Sequence, residues 1–326
     1  LKDTNAWKLR TAREVVSSTE DRNSYYTNLL YRPFDIRHFF YHDAVIERGR
    51  REVMKHMLRP NQALLLPRRV ETAIPWSHVF VSNQVVEHVA VSLKTIDYCF
   101  PLYLYEEPSA GGSGGRSAHQ VYQAMLVFEP QAGYATRKPN LNPKLLSSLK
   151  EAHQKEPTPE AVFNYIYAVL YSNAYRSKYA EFLKTDFPHV PFTKDVALFR
   201  QLSEKGAELV DLHLLRSKKL TKPITKCEGT GDLRVLKVEY DVEKKRVYIN
   251  TDTYFARIPY EVWEYHIGGY QVAEKWLKDR KGRILSSEEI AVYAQTVTAI
   301  AETINIQESL DDLFNEVESS ILEISL

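Results

Sequence analysis

This sequence predicts a mixed α+β fold, with a strand-rich N-terminal lobe followed by a largely helical lobe that contains a β-hairpin. Three observations carry the expectation. From Tyr25 onward the apolar and aromatic residues fall into short runs broken by turns, the texture of strands. Beyond Pro139-Asn-Leu-Asn-Pro143 the apolar positions recur every three or four residues, the period of a helix with one buried face. Within that helical part, Leu233–Tyr240 and Arg246–Asn250 flank the polar turn Asp241-Val-Glu-Lys-Lys245, which reads as a hairpin.

Taken in order, residues 1–24 are polar and mixed in charge and read as a lead-in from a preceding domain. The start at Leu1-Lys2-Asp3, with neither initiator Met nor secretory signal, suggests a fragment of a longer polypeptide. Strands are expected in Leu29–Tyr31, Ile36–Tyr41, Ala63–Leu66, His78–Val81, Val85–Val86, Val89–Val91 and Tyr98–Tyr105. One helix interrupts them over Arg50–Leu58, with Val53, Met54, Met57 and Leu58 on one face and Pro60 ending it. Gly111-Gly-Ser-Gly-Gly115 is expected to be a flexible loop, and it lacks the Gly-Lys-Ser/Thr continuation of a phosphate loop. Asn142 can cap a helix whose first turn carries Pro143. Helices follow over Ala161–Leu183 and Asp195–Leu215. Ser286-Ser-Glu-Glu289 is a capping box for a helix with Ile290, Tyr293, Val297, Ile300 and Ile304 in line. Ser309 can cap a separate last helix with Leu310, Phe314, Val317, Ile321 and Ile324 in one stripe. The expected division is 1–24, 25–140 and 141–326.

Composition narrows the function. With 44% hydrophobic and 26% charged residues the chain is an ordinary globular one, and no apolar run is long enough to span a membrane. Two cysteines, Cys99 and Cys227, make neither a disulfide framework nor a four-ligand metal site. Cys99 sits in an apolar run and reads as an inert buried thiol, which fits a reducing, cytoplasmic setting. The net charge is only +1, but it is unevenly spread. Residues 1–150 hold 20 Lys+Arg against 14 Asp+Glu, whereas 151–326 hold 23 against 28. Residues 302–326 alone have seven acidic side chains and no Lys or Arg. Such asymmetry points to a polyanionic partner on the N-terminal side.

No constellation nominates an enzyme. The chain has no Gly-x-Ser-x-Gly elbow, phosphate loop or dinucleotide fingerprint. Asp186-Phe-Pro-His189 is a poor match to the Asn/Asp-Pro-Pro-Tyr/Phe signature of adenine methylation. His38 and His42 are four apart in a strand-like run, where that spacing does not converge on a metal. Glu243-Lys244-Lys245 falls at a hairpin tip and reads as a solvated turn. No catalytic or metal-binding residue is therefore expected. Three readings remain: a DNA binder, a helical protein-interaction scaffold suggested by the acidic stripes of 286–326, and a nuclease with a dispersed active site.

Several strings occur together in order: Tyr31-Arg-Pro-Phe-Asp-Ile-Arg-His38, Arg48-Gly-Arg-Arg-Glu-Val-Met-Lys-His-Met57, Ala63-Leu-Leu-Leu-Pro-Arg68, Trp76-Ser-His-Val-Phe-Val-Ser82, Phe100-Pro-Leu-Tyr-Leu-Tyr105, Tyr165-Ile-Tyr-Ala-Val-Leu-Tyr-Ser172, Tyr265-His-Ile-Gly-Gly-Tyr-Gln-Val272 and Lys275-Trp-Leu-Lys278. From about Tyr25 to its end the chain resembles the C-terminal specificity domain of type ISP restriction-modification enzymes. The Gly111–Gly115 stretch is not part of that pattern. The resemblance implies recognition of a short asymmetric site in double-stranded DNA, presented to an adenine methyltransferase domain of the same polypeptide. It also implies that S-adenosylmethionine, ATP and Mg belong to other domains, with no cofactor in this chain.

Base contacts are not carried by a motif, so the candidates rest on chemistry. Lys and Arg position phosphates, while Arg, Asn, Gln or Ser read base edges. The densest supply is Arg48, Arg50 and Arg51, then Arg68 and Arg69, then Asn83 and Gln84 after Ser82, then Lys94 beside Thr95, then Arg137 and Lys138. Within Arg32-Pro-Phe-Asp35, Arg32 and Asp35 can bridge a turn. Tyr265–Arg283, with Gly268-Gly269 for close packing and Trp276 as a helix anchor, reads as scaffold first and phosphate contact second.

Overall fold

The computed structural model describes residues 3–4, 7–106 and 137–324; the Gly111–Gly115 stretch lies outside them. Helix α1 spans Leu9–Ser18. Strands β1 (Tyr26–Arg32) and β2 (Asp35–Phe40) form an antiparallel hairpin, and the short β5 (Val85–Val86) adds parallel to β1. The hairpin turns at Phe34, whose φ of 62° is the left-handed conformation a tight reversal requires. β3 (Ala63–Pro67), buried along its whole length, lies between β4 (Phe80–Ser82) and β6 (Asp97–Pro101), antiparallel to both. β7 (Tyr103–Tyr105) pairs with β8 (Arg137–Pro139). Helix α2 (Arg51–Met57) packs Met54 and Met57 into a small cluster with Tyr41, Ala63 and Val85.

The C-terminal part opens with α3 (Pro143–His153), where Asn142 accepts from Lys144 N and caps the helix as expected. It continues through α4 (Pro159–Tyr171), α5 (Asn173–Lys178), α6 (Ala180–Thr185) and α7 (Val196–His213). A four-stranded antiparallel sheet follows in the order β10 (Glu239–Asp241), β11 (Arg246–Tyr248), β12 (Thr253–Ala256), β9 (Lys226–Gly229). The predicted hairpin is present, but it is shorter than expected. Between Leu233 and Val238 the chain forms no strand: Arg234 makes an isolated bridge to Ile284, and Leu236 N and Lys237 N both donate to Ile249 O. The small α8 (Tyr260–Trp263), β13 (His266–Ile267), β14 (Tyr270–Gln271) and α9 (Val272–Lys278) lead to the 32-residue α10 (Ser287–Glu318).

Three expectations are corrected. Ala161–Leu183 is three helices. Ser172 takes an extended conformation, its hydroxyl caps α5 at Tyr175 N, and it donates to Asp311 Oδ1 at 2.8 Å. The apolar period survived this break because it records which positions are buried, not which amides bond to which carbonyls. Ser309 starts no helix. Its hydroxyl donates back to Ile306 O at 2.8 Å inside α10, which ends before Ile321 and Ile324. Val89–Val91 is a buried turn and not a strand. Its backbone is satisfied by Tyr270 Oη on Val89 O at 2.8 Å, by Gly269 N on Val91 O at 3.0 Å, and by Asp97, which accepts from Val91 N at 2.6 Å.

One apolar core runs from Leu30 and Leu65 through the tyrosines of α4 to Phe314 and Val317. Three of the buried tyrosines each donate to a carbonyl, Tyr165 to Pro191 O, Tyr171 to Val79 O and Tyr175 to His189 O, at 2.8–3.1 Å, and Tyr167 meets the His213 ring at 2.7 Å. Where α4 crosses α7, Gly206 lets the backbones touch; a Cβ there would stand 1.8 Å from Asn164 O. A second close approach joins the two parts of the chain. Gly268, at φ +58°, lies where a Cβ would meet Val91 O at 1.8 Å.

Candidate nucleic-acid interface

β3 is the frame on which most of the candidate side chains are hung. At its C-terminal end Pro67 pairs with Asp97, which puts Arg68, Arg69 and the 91–97 turn bearing Lys94 at one end of the sheet. At its N-terminal end Ala63 pairs with both Ser82 and Pro101. Asn83 and Gln84, and the β7–β8 hairpin with Arg137 and Lys138, therefore belong to the other end. Five strand residues separate the two groups by roughly 13 Å. Arg48, Arg50 and Arg51 form a third group on the turn entering α2.

The local settings differ. Arg51 is exposed and held by Asp43, with Nε 2.7 Å from Oδ1, while Arg50 takes a left-handed φ of 47° just before the helix. Arg68 donates from Nε to Asp186 Oδ1 at 2.8 Å. That hydrogen bond raises the guanidinium pKa and lowers that of the carboxyl, and both groups are solvated. Gln84 Nε2 donates to Asn83 Oδ1 at 3.1 Å, and Ser82 Oγ accepts from Gln84 N, so this turn is already ordered. Arg137 lies 4.0 Å from the centre of the Tyr103 ring, and Lys138 is 3.8 Å from Glu106. Arg48, Arg50, Arg69 and Lys94 are exposed and make no ion pair among the described residues. Of the candidate cations, these four are left most available for phosphate.

The sequence reading passed over two features. Tyr98 and Phe100 project from the outer face of edge strand β6, 47% and 38% exposed, and meet Phe187 edge-on at 5.1 and 5.4 Å. With Arg68 at 6.0 Å from the Phe187 ring, they form an aromatic and cationic surface beside Arg69. The alternation within Asp97–Pro101 carries the signal, and the longer apolar run Tyr98–Tyr105 masks it. Arg37, 38% exposed, lies over Tyr31 at 3.7 Å.

The Arg-Pro-Phe-Asp turn is not self-bridged. Arg32 pairs with Glu87 at 2.6 Å, whereas Asp35, 1% exposed, takes Arg37 at 2.8 Å and Arg280 at 2.9 Å. Asp35 thus takes its partner Arg280 from 245 positions further along the chain. Arg280 also reaches Glu289 at 3.1 Å and stacks 3.4 Å over Trp276. Lys275 and Lys278 are paired with Asp279 and Glu274. The 265–283 region is thus knit into the interior, in keeping with a scaffold. Cys99 is half-buried, and burial pushes its thiol up to about 12. No three His, Cys, Asp or Glu side chains gather in metal-binding geometry among the described residues.

Residues 1–309 match the family model described as the Type ISP C-terminal specificity domain. The chain belongs to this family. Solved structures share the fold of this specificity domain. The ATP-dependent Type ISP restriction-modification enzyme LlaBIII bound to DNA superposes with a TM-score of 0.68 at 18% identity, over 95% of this chain and 20% of that one. The DrdV–DNA complex gives 0.68 at 20% identity, over 93% and 31%. A nuclease-deletion mutant of the Type ISP enzyme LlaGI with a DNA substrate mimic gives 0.59 at 18%, over 89% and 21%. The specificity domain therefore spans between a fifth and a third of the length of these chains. No curated protein matches it in sequence. Among the described residues no helix is long and apolar enough to cross a membrane.

Proposed function

We propose that the specificity domain binds double-stranded DNA and reads the target sequence for a restriction-modification enzyme of which it is one part. The observation that carries this reading is the family match across residues 1–309; three structures of like fold captured with DNA support it. Its working partner is the adenine methyltransferase domain of the same polypeptide. S-adenosylmethionine, ATP and Mg serve the other domains. The setting is the cytoplasm, where the free thiols of Cys99 and Cys227 persist.

DNA lies on the strand-rich lobe, with Arg48, Arg50, Arg51, Arg69 and Lys94 on phosphates and Arg68, Asn83 and Gln84 at base edges. Arg137 and Lys138, on β8, hold the flank of the site. Salt-dependent binding to duplexes with and without the cognate site tests this. Replacing Arg50 and Arg51 with Ala is expected to weaken binding on every sequence and to flatten the salt slope by about 0.9 per lost phosphate contact. Replacing Arg68 and Arg69 with Ala is expected to remove one phosphate contact on every sequence and to cost about 1–3 kcal/mol more on the cognate site, where Arg68 reads a guanine edge. Lys275→Ala with Lys278→Ala, on the scaffold helix α9, should change binding least. Greater loss there than in both arginine pairs would move the DNA face to the helical part.

A further inference from the structure

Arg176, in the second half of α5, turns its side chain into the core and is only 8% exposed. Nε donates to Leu170 O at 2.7 Å, and the guanidinium lies 4.6 Å from the centre of the Tyr171 ring and 5.8 Å from that of Trp76. No carboxylate pairs with it among the described residues. Nη2 is buried without a hydrogen-bond partner, and so are Trp76 Nε1 and His78 Nδ1. These residues adjoin one another. The Trp76 and His78 rings are 6.4 Å apart, both side chains are 2% exposed, and burial together with the Arg176 charge holds the His78 imidazole down to about 4. The phenols of Tyr171 and Tyr265 lie within hydrogen-bonding reach of Arg176 but supply no negative charge, because burial raises the pKa of both.

A guanidinium cannot shed its proton in a protein, and a buried charge without a counter-charge is strongly unfavourable. A water molecule would satisfy the free N–H groups and leave the charge unbalanced; an anion does both. We propose that Arg176, Trp76 and His78 form an internal site for a small monovalent anion of chloride's size. Arg176 supplies the charge, Trp76 Nε1 a second donor, and neutral His78 a third through an Nδ1–H tautomer. The site braces the segment that leads into β4 against α5, and so supports the Ser82-Asn83-Gln84 turn from behind.

Thermal unfolding of the chain in sodium chloride and in sodium gluconate at equal ionic strength tests the proposal, since gluconate is too large for a core site. Chloride is expected to raise Tm by about 5 °C at roughly a hundred times its Kd, relative to gluconate, and Arg176→Met should remove the difference. Crystals of the unaltered chain grown in bromide should show an anomalous peak beside Arg176 Nη2, so the test survives if the variant does not fold. Equal Tm values in the two salts, or a bromide map with no peak there, would overturn the site.

Discussion

At the scale of single residues, Asp35 makes the most consequential contact in the structure. It closes the first hairpin, yet its carboxylate oxygens go to Arg37 beside it and to Arg280 near the far end of the chain. A nearly buried ion pair is worth little against an apolar replacement, but removing one partner strands the other charge. Asp35→Ala is therefore expected to lower stability by about 3–5 kcal/mol in urea unfolding. Arg37→Ala, which removes a partly solvated partner, should cost about 1 kcal/mol or less. Equal and small effects would mean that the Asp35–Arg280 pair does not hold the two parts together. Nothing local in Arg-Pro-Phe-Asp foretold this: a four-residue string shows who could bridge a turn, and the true partner lies 245 positions on.

Among the elements, the crossing of α4 and α7 brings backbone against backbone, and Gly206 is what permits it. Helix propensity alone favours Ala over Gly by about 1 kcal/mol. The alanine methyl, however, would lie 1.8 Å from Asn164 O, and overpacking of that kind costs about 1–3 kcal/mol or more because backbone must move. The clash wins, so Gly206→Ala should destabilise the chain while leaving its far-ultraviolet helix signal intact. A variant more stable than the parent would show that the two helices separate without cost. The elements themselves were largely legible. The capping box at Ser286 and Glu289, the Asn142 cap and the hairpin turn at 241–245 all stand where their local chemistry put them. The break at Ser172 and the unbroken run through Ser309 were not legible. Each depends on whether a serine hydroxyl finds a better partner outside its own helix, and Asp311 settles that only at Ser172.

For the whole molecule, the shift from strand-like to helical texture near residue 140 separates two kinds of architecture but does not separate two cores. Side chains from β1, β3 and β4 share one apolar cluster with α4, α7 and α10, and the Asp35–Arg280 pair and the Gly268–Val91 approach cross the same seam. Calorimetry should accordingly show a single unfolding transition, because neither part can open without exposing the other's buried face. Two resolved peaks would show that the seam is a weak joint. The candidate DNA face follows the same logic at larger reach. The ten polar side chains come from one lobe, but β3 sends Arg68, Arg69 and Lys94 to one end and Asn83, Gln84, Arg137 and Lys138 to the other.

By itself, the sequence determined the kind of most of the longer elements, the main caps, the basic bias of the first half and the family resemblance, all of which are written in local pattern and residue type. The tertiary structure alone decided where a continuous apolar stripe breaks, which charge answers Asp35, and how the candidate cations are distributed around β3. The physical reason is that periodicity reports which positions are buried. It says nothing about which of several possible partners, hundreds of residues away, satisfies a given hydrogen bond or charge once the chain has closed on itself.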